Sequence, residues 1–368
     1  MNKKNTAPAP KLSVPTSIFN FTFNIKCVIL AALAFGFYIN TVNNKYALDD
    51  SLVITDNKYV QQGFSGIKHI FTSDAFDNYV KEMHGSEASA SSGRWYRPLP
   101  MAIFAVEQGL FGDSPSLRHL INVLFFMLCS IAIFYFFSKY LFIAIPYGED
   151  ISFIAAFLFV IHPIHTEAVA NIKSLDEIIS LLFVVCTFIF SLAYSRNKKT
   201  WLLLLSLVSF LLALLSKEYA ITLIILLPIL FYLLITTDLK KLLRLILPFY
   251  AIIVLYGLIR ISAVGIPHSM LSTDILTNPY LFATSSQQLA TECYVLGKYF
   301  LLLIFPHTLS CDYSFSQIPY HNFASISVWV SIFFYIALIV WGIWLLSKKN
   351  ILAFPVFFYL FNIFIISN

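Results

Sequence analysis

The feature that most constrains this chain is the recurrence of apolar runs of about 20 residues, each long enough to cross a bilayer as a helix. Residues 116–142, 175–194, 200–216 and 243–264 are the plainest of them. A backbone inside hydrocarbon must satisfy its own N–H and C=O groups, which leaves helices or a closed barrel. A barrel strand would alternate apolar and polar residues over about ten positions, and these runs do not alternate. Over 368 residues the chain is 59% hydrophobic and 12% charged, with a mean hydropathy of +0.79. A soluble domain is about half apolar and about a quarter charged, so the chain reads as an all-α polytopic membrane protein. The net charge of +5 comes from Lys and Arg in short loops and points to no nucleic acid.

Lys3, Lys4, Lys11 and Lys26 flank the first span, near 25–41, and by the positive-inside rule put the N-terminal tail 1–24 in the cytoplasm. The tail is polar and no cleavage pattern follows, so no cleavable signal is expected. Residues 42–115 then form a large outer loop, with a flexible tip at 85–93 and an interfacial helix over 97–112. The next spans are expected at 116–142, 151–162, 175–194, 200–216, 219–236 and 243–264. The piece 288–305 poses a parity problem. If it crossed, Lys348 and Lys349 would face outward, against every other basic cluster, so it is read as a non-spanning helix within an outer loop, 265–324. Spans at 325–346 and 350–368 complete about nine. The chain stops inside an apolar helix, which suggests a C-terminally truncated transmembrane domain, 25–368. No solenoid or transporter repeat is visible. Cys27, Cys129 and Cys186 lie in apolar helices as packing residues, and a disulfide between Cys293 and Cys311 stays open.

With this topology the ionisable residues gather at the outer ends of helices. Asp49 and Asp50 follow the first span. Arg97, Arg118 and His119, then His162, His165 and Glu167, then Lys173, Asp176 and Glu177, then Lys217 and Glu218 come from the later ones. Charges at membrane depth are costly and usually face a bundle interior or a polar cavity. Local pairing, Lys217 with Glu218 or Lys173 with Asp176, would explain single cases but less readily a whole layer. Arg97 and Lys217 are candidates to hold a phosphate, Arg by its planar fork and Lys as a point charge. A surface carboxylate could deprotonate an attacking hydroxyl. No Gly-rich nucleotide loop is present. His162 and His165, with Glu167, could bind a divalent metal, but HPIHTE lacks zincin spacing and Pro163 interrupts the helix. A cap at a helix end is the favoured reading, and no cofactor is required. Asp49 and Asp50 read as well as a solvated loop pair.

LDD (48–50), YRPLP (96–100), LRHLINVLFF (117–126), FVIHPIHTEAVANIKSLDE (159–177), LLALLSKEYAITL (211–223) and PHTLSCDYSFSQIP (306–319) occur in this order. Together they resemble the membrane part of the transmembrane and TPR repeat-containing O-mannosyltransferases, relatives of protein O-mannosyltransferases within the GT-C glycosyltransferases. The resemblance implies a GT-C-like fold and a polyprenyl- or dolichyl-phosphate-linked donor, mannose by default. It also implies a protein or glycan hydroxyl acceptor outside the cytoplasm. By position it makes Asp49 or Asp50 the catalytic acid, Asp49 slightly preferred. It places Arg97, His162, His165, Glu167, Lys173, Asp176, Lys217 and Glu218 around the donor. Lys173 stands where the family's basic-x-x-Asp element suggests Arg, and the family's TPR repeats are not seen. The one N-x-S/T sequon, Asn20-Phe-Thr22, falls on the cytoplasmic side, which favours a bacterial inner membrane over the ER. Two other readings stay open: a transporter or lipid-binding protein using the same cavity, and an inactive remnant of the transferase.

Overall fold

The computed structural model describes residues 18–19, 21–74, 95–266, 278–307, 309–310, 313 and 317–366. The tip at 85–93, Lys3, Lys4, Lys11, Asn20 and Cys311 lie outside them, and with Cys311 the pairing to Cys293.

Regular structure among the described residues is helical throughout. Helix α1, Phe23–Tyr38, runs into a tight turn at Ile39–Asn43. Three small or mid-length helices follow: α2 (Lys58–Gln61), α3 (Ile67–Thr72) and α4 (Pro98–Phe111). The bundle continues with α5 (Pro115–Phe136), α6 (Gly148–Ile161), α7 (Thr166–Ala170), α8 (Leu175–Asn197) and α9 (Thr200–Ser216). It ends with α10 (Leu223–Leu234), α11 (Leu239–Val264), α12 (Ser285–Ile304), α13 (Ile326–Ser347) and α14 (Ala353–Ile366).

Five segments are long and apolar enough to cross a membrane: Phe23–Asn43, Pro115–Leu141, Leu175–Asn197, Leu239–Val264 and Ile326–Ser347. A sixth arises if α6 and Pro163–Ala170, bent by 50°, are one span. The chain is a multi-pass membrane protein. Pro163 accounts for the bend, since it has no N–H to continue the helix. Thr200–Ser216, Glu218–Leu234 and Ala353–Ile366 are apolar but shorter. At 17 residues, α9 reaches about 25 Å, just under a typical hydrocarbon core. The expected apolar segments are therefore helices, but length and composition alone qualify fewer than nine of them. α12 is not among the qualifying helices. Its first turns are polar, and Thr284 and Gln287 close them with a reciprocal capping box.

The connection from α8 to α9 is two residues, with Lys198 in the left-handed region (φ 56°). So short a link forces an antiparallel hairpin, which sets Asp176 at the start of α8 beside Lys217 at the end of α9.

Two hydrophobic cores result. The larger fills the bundle with Leu30, Phe126, Phe134, Phe188, Phe210 and Phe231 among others. The smaller lies under the first loop, where Val53, Ile54, Val60 and Ile70 pack on Met101, Phe104 and Ala105 of α4 and on Ile172, Leu175 and Ile179. The loop is thus folded onto the bundle. Gly63 and Gly109 let loop and α4 touch: a Cβ on Gly63 would lie 3.1 Å from the Gly109 Cα. At the other end of α1 and α5, the fully buried Lys26 binds Asp150 at 2.7 Å and Glu149 at 3.0 Å, with Lys139 on Glu149 at 3.3 Å. This clasp of α1, α6 and the turn after α5 has no local spacing to announce it.

Candidate functional site

The two adjacent acids part company. Asp50 is fully buried, and its carboxylate accepts the backbone N–H of Ala47 at 2.9 Å and of Lys173 at 2.8 Å. Burial pushes its carboxyl above the usual carboxylate range, although those two N–H groups pull the other way. Asp49 points outward with its side chain 56% exposed, and its Oδ2 stands 3.7 Å from Lys173 Nζ. Lys173 therefore serves both acids, one through its backbone and one through its ammonium.

Beyond Lys173 runs a row of ion pairs. Arg97, the residue before α4, donates Nε to Glu218 Oε2 at 3.0 Å and Nη2 to Oε1 at 2.7 Å. Its Nη1 donates to Asp176 Oδ2 at 2.8 Å, and Trp95 covers the guanidinium at 4.4 Å. Lys217 reaches the same Asp176 oxygen at 3.7 Å and hydrogen-bonds Glu177. Asp176 Oδ1 is buried without a partner among the described residues. Pairing thus crosses helices and departs from the local pairs the sequence suggested. Lys217 takes Glu177 and Asp176, Glu218 takes Arg97, and Lys173 takes Asp49. Arg97 has all three nitrogens on carboxylates and is not free for a phosphate in this state. Lys217 is paired too, to Asp176 and Glu177, but it lines the largest of the described spaces around this row.

A cavity of about 480 Å³ lies between α5, the α6–α7 bend, α8, the 217–222 turn before α10, and α14. Its lining brings His165, Glu167, Glu177 and Lys217 together with Phe126, Leu181, Val184 and Phe358. It lies in the range of small-ligand sites and mixes charged with apolar walls.

The histidine motif splits as well. His162 Nδ1 accepts the Ile164 N–H at 3.2 Å, so Nε2 carries the proton and donates to the Leu303 carbonyl at 2.9 Å. Both nitrogens are taken, as the cap reading expected. His165 lies against Phe159, ring centroids 4.3 Å apart, and faces the cavity. Glu167 accepts Ser174 Oγ at 3.1 Å. Among the described residues no group of three or more His, Cys, Asp or Glu side chains is placed to hold a metal ion.

Sequence reasoning placed Arg118 in the polar layer but missed its partners Tyr46 and Glu107, and Asn122. Arg118, almost wholly buried, bridges Tyr46 of the loop to Glu107 and Gln108 of α4. Burial pushes the Glu107 carboxyl up to about 7 against the pull of Arg118. Asn122 donates to the Asn171 carbonyl at 2.9 Å and so ties α5 to the segment that carries Lys173. The i, i+4 spacing of Arg118 and Asn122 in an apolar run was the available signal, since polar residues on one face of a buried helix must find partners.

With this geometry in place, comparison with known proteins is informative. The family described as "Dolichyl-phosphate-mannose-protein mannosyltransferase" matches residues 97–266. The match begins at Arg97 and contains the whole ion-pair row and the histidine motif. Over these residues the chain is similar to that family. Protein O-mannosyl-transferase TMTC1 of Homo sapiens is 28% identical over 169 residues, 46% of this chain and 18% of that protein. A Caenorhabditis elegans protein O-mannosyl-transferase is 25% identical over 288 residues, 78% of this chain and 39% of its own length. Protein O-mannosyl-transferase Tmtc1 of Drosophila melanogaster is 31% identical over 199 residues, 53% of this chain and 21% of that protein. The chain thus spans well under half the length of these curated relatives. No solved structure matches.

Proposed function

We propose that this O-mannosyltransferase-like chain is a membrane glycosyltransferase of GT-C type. It moves a sugar, mannose by family default, from a polyprenyl- or dolichyl-phosphate donor to a hydroxyl on a protein or glycan at the non-cytoplasmic face. The observation that carries the reading is the mixed lining of the large cavity. Its apolar walls, Phe126, Leu181, Val184 and Phe358, suit a prenyl chain, and Lys217 among them would exchange a carboxylate for a phosphate.

In this reading the acceptor oxygen attacks the sugar C1 while the bond from C1 to the phosphate oxygen breaks. The hydroxyl proton passes to Asp49, the exposed acid, and Lys217 takes up charge developing on the departing lipid phosphate. Asp50, Asp176 and Glu218 hold the cations and the loop in place. His165 and Glu167 line the donor cavity, and Lys173 sets the charge beside Asp49.

The topology that goes with it has about nine spans. The N-terminus is cytoplasmic, and the 42–115 and 265–324 segments are outside, with α12 non-spanning. The sequon at Asn20 on the inner side supports a bacterial inner membrane.

The test is transfer of labelled mannose from a polyprenyl-phosphate donor by the full chain in nanodiscs. Asp49→Asn and Lys217→Met should each lower transfer at least about a hundredfold. Undiminished transfer by both would overturn the site assignment. Solute uptake that depends on Lys217 and ignores Asp49 would favour a transporter instead.

A further inference from the structure

The segment that carries Asp49 is held in an unusual backbone. Leu48, a branched non-glycine residue, sits in the left-handed region with φ 49°. Such a conformation persists only where surrounding contacts impose it, and it aims the next side chain.

The contacts are specific. On one side of Leu48, the Lys45 carbonyl meets His119 Nε2 at 3.5 Å, and the Tyr46 hydroxyl donates to Asp113 Oδ1 at 2.5 Å while accepting Arg118 Nε at 3.1 Å. On the other, Asp50 is pinned by Ala47 N–H and Lys173 N–H. Between the anchors, Asp49 is the ionisable residue turned to solvent, beside the exposed Leu48.

Arg118 does more than hold the tyrosine. Its Nη1 donates to the Phe104 carbonyl at 3.2 Å and to Glu107 Oε2 at 2.9 Å, and its Nη2 to Gln108 Oε1 at 2.9 Å. These lie on the last turns of α4, the helix whose first turn follows Arg97. One side chain therefore fixes the Asp49 segment to the rigid element that begins at the ion-pair row. Only a planar fork with three nitrogens reaches all four partners, so Lys cannot replace it.

We propose that Tyr46 and Arg118 are positioning residues for the transfer step: they hold the 45–50 segment so that the Asp49 carboxylate faces the reacting hydroxyl. The inference rests on the glycosyltransferase reading for its kinetic consequence and on the geometry alone for its structural one. Neither residue lines the cavity assigned to the donor. A misplacement of about 1 Å in a catalytic group is enough to lower a rate by about a hundredfold.

The experiment has two arms, both on the full chain in nanodiscs. In the first, Tyr46→Phe and Arg118→Lys are assayed with dolichyl phosphate [3H]mannose and a Ser/Thr-rich peptide. The expected result is a kcat lowered at least about tenfold with the donor KM held within about twofold. A wild-type rate in Tyr46→Phe overturns the proposal, as does a rate loss that only tracks a fall in melting temperature. In the second arm, Asp49→Cys and Lys173→Cys are combined in a background lacking the five native cysteines. They are then linked with a short bis-methanethiosulfonate reagent. Adding Tyr46→Phe should slow linking several-fold, and an unchanged rate overturns the proposal. A wild-type chain that fails to transfer from this donor sinks the functional reading, and the linking arm still decides the positioning role.

Discussion

Lys173 binds both members of an acidic pair in different ways: its backbone N–H lies 2.8 Å from the buried Asp50 carboxylate, and its ammonium 3.7 Å from the exposed Asp49. Neighbours in sequence thus have opposite jobs. Asp50 joins the first loop to the start of α8, and Asp49 is left to meet solvent.

The two acids should accordingly fail differently when neutralised. Asp50→Asn replaces one acceptor oxygen by an NH2 group facing a backbone N–H, and should cost about 2 kcal/mol of stability. Asp49→Asn should leave the melting temperature within a few degrees while abolishing transfer. Thermal unfolding in detergent, read by intrinsic fluorescence beside the transfer assay, checks both.

Arg97 offers a second test. Arg97→Lys keeps the charge but cannot make the two-pronged contact with Glu218 and reach Asp176 as well. Because Glu218 is partly exposed, the expected loss is about 2 kcal/mol, below that for breaking a fully buried pair. Arg97→Lys with near wild-type stability would mean that the ion-pair row contributes little to holding α4.

Glu107 predicts a pH dependence. Its folded value of about 7 lies above its ordinary 4.5, so between these the folded chain keeps a proton that the unfolded chain has released. Stability from this group is fully present below about pH 4.5 and declines as pH rises toward 7. Glu107→Gln should flatten that decline by about 3 kcal/mol across the window, seen as the difference between wild-type and variant melting curves from pH 4.5 to 7.5.

A glycine in the loop gives a purely steric prediction. A Cβ on Gly66 would fall 1.8 Å from the Tyr59 carbonyl oxygen, so Gly66→Ala must displace backbone. It should destabilise the small core under the loop by about 2 kcal/mol or more, visible as faster proteolysis in residues 45–74.

Much of the architecture was legible because apolar runs and their breakers are local. The segments 200–216 and 243–264 appear as Thr200–Ser216 and Leu239–Val264, and the break at Pro163 falls where a missing N–H requires it. The cap role of His162 was likewise readable from its place beside Pro163. The pairing of the charges was not. Lys217 stands next to Glu218 in sequence, yet Glu218 reaches back 121 residues to Arg97. Arg118, Tyr46 and Glu107 were invisible as a group because they come from three separated segments.

The sequence by itself determined that this is a helical membrane protein. It also determined which residue types gather at one level of helix ends, because hydrocarbon admits few charges and each must find a place. It separated Asp49 from Asp50 only by a slight preference that the resemblance carried. The tertiary structure set them physically apart, by bringing the backbone of Lys173 across 123 positions to Asp50. A carboxylate is buried where N–H groups already wait for it and exposed where they do not, and which of two neighbours meets them depends on packing between distant segments.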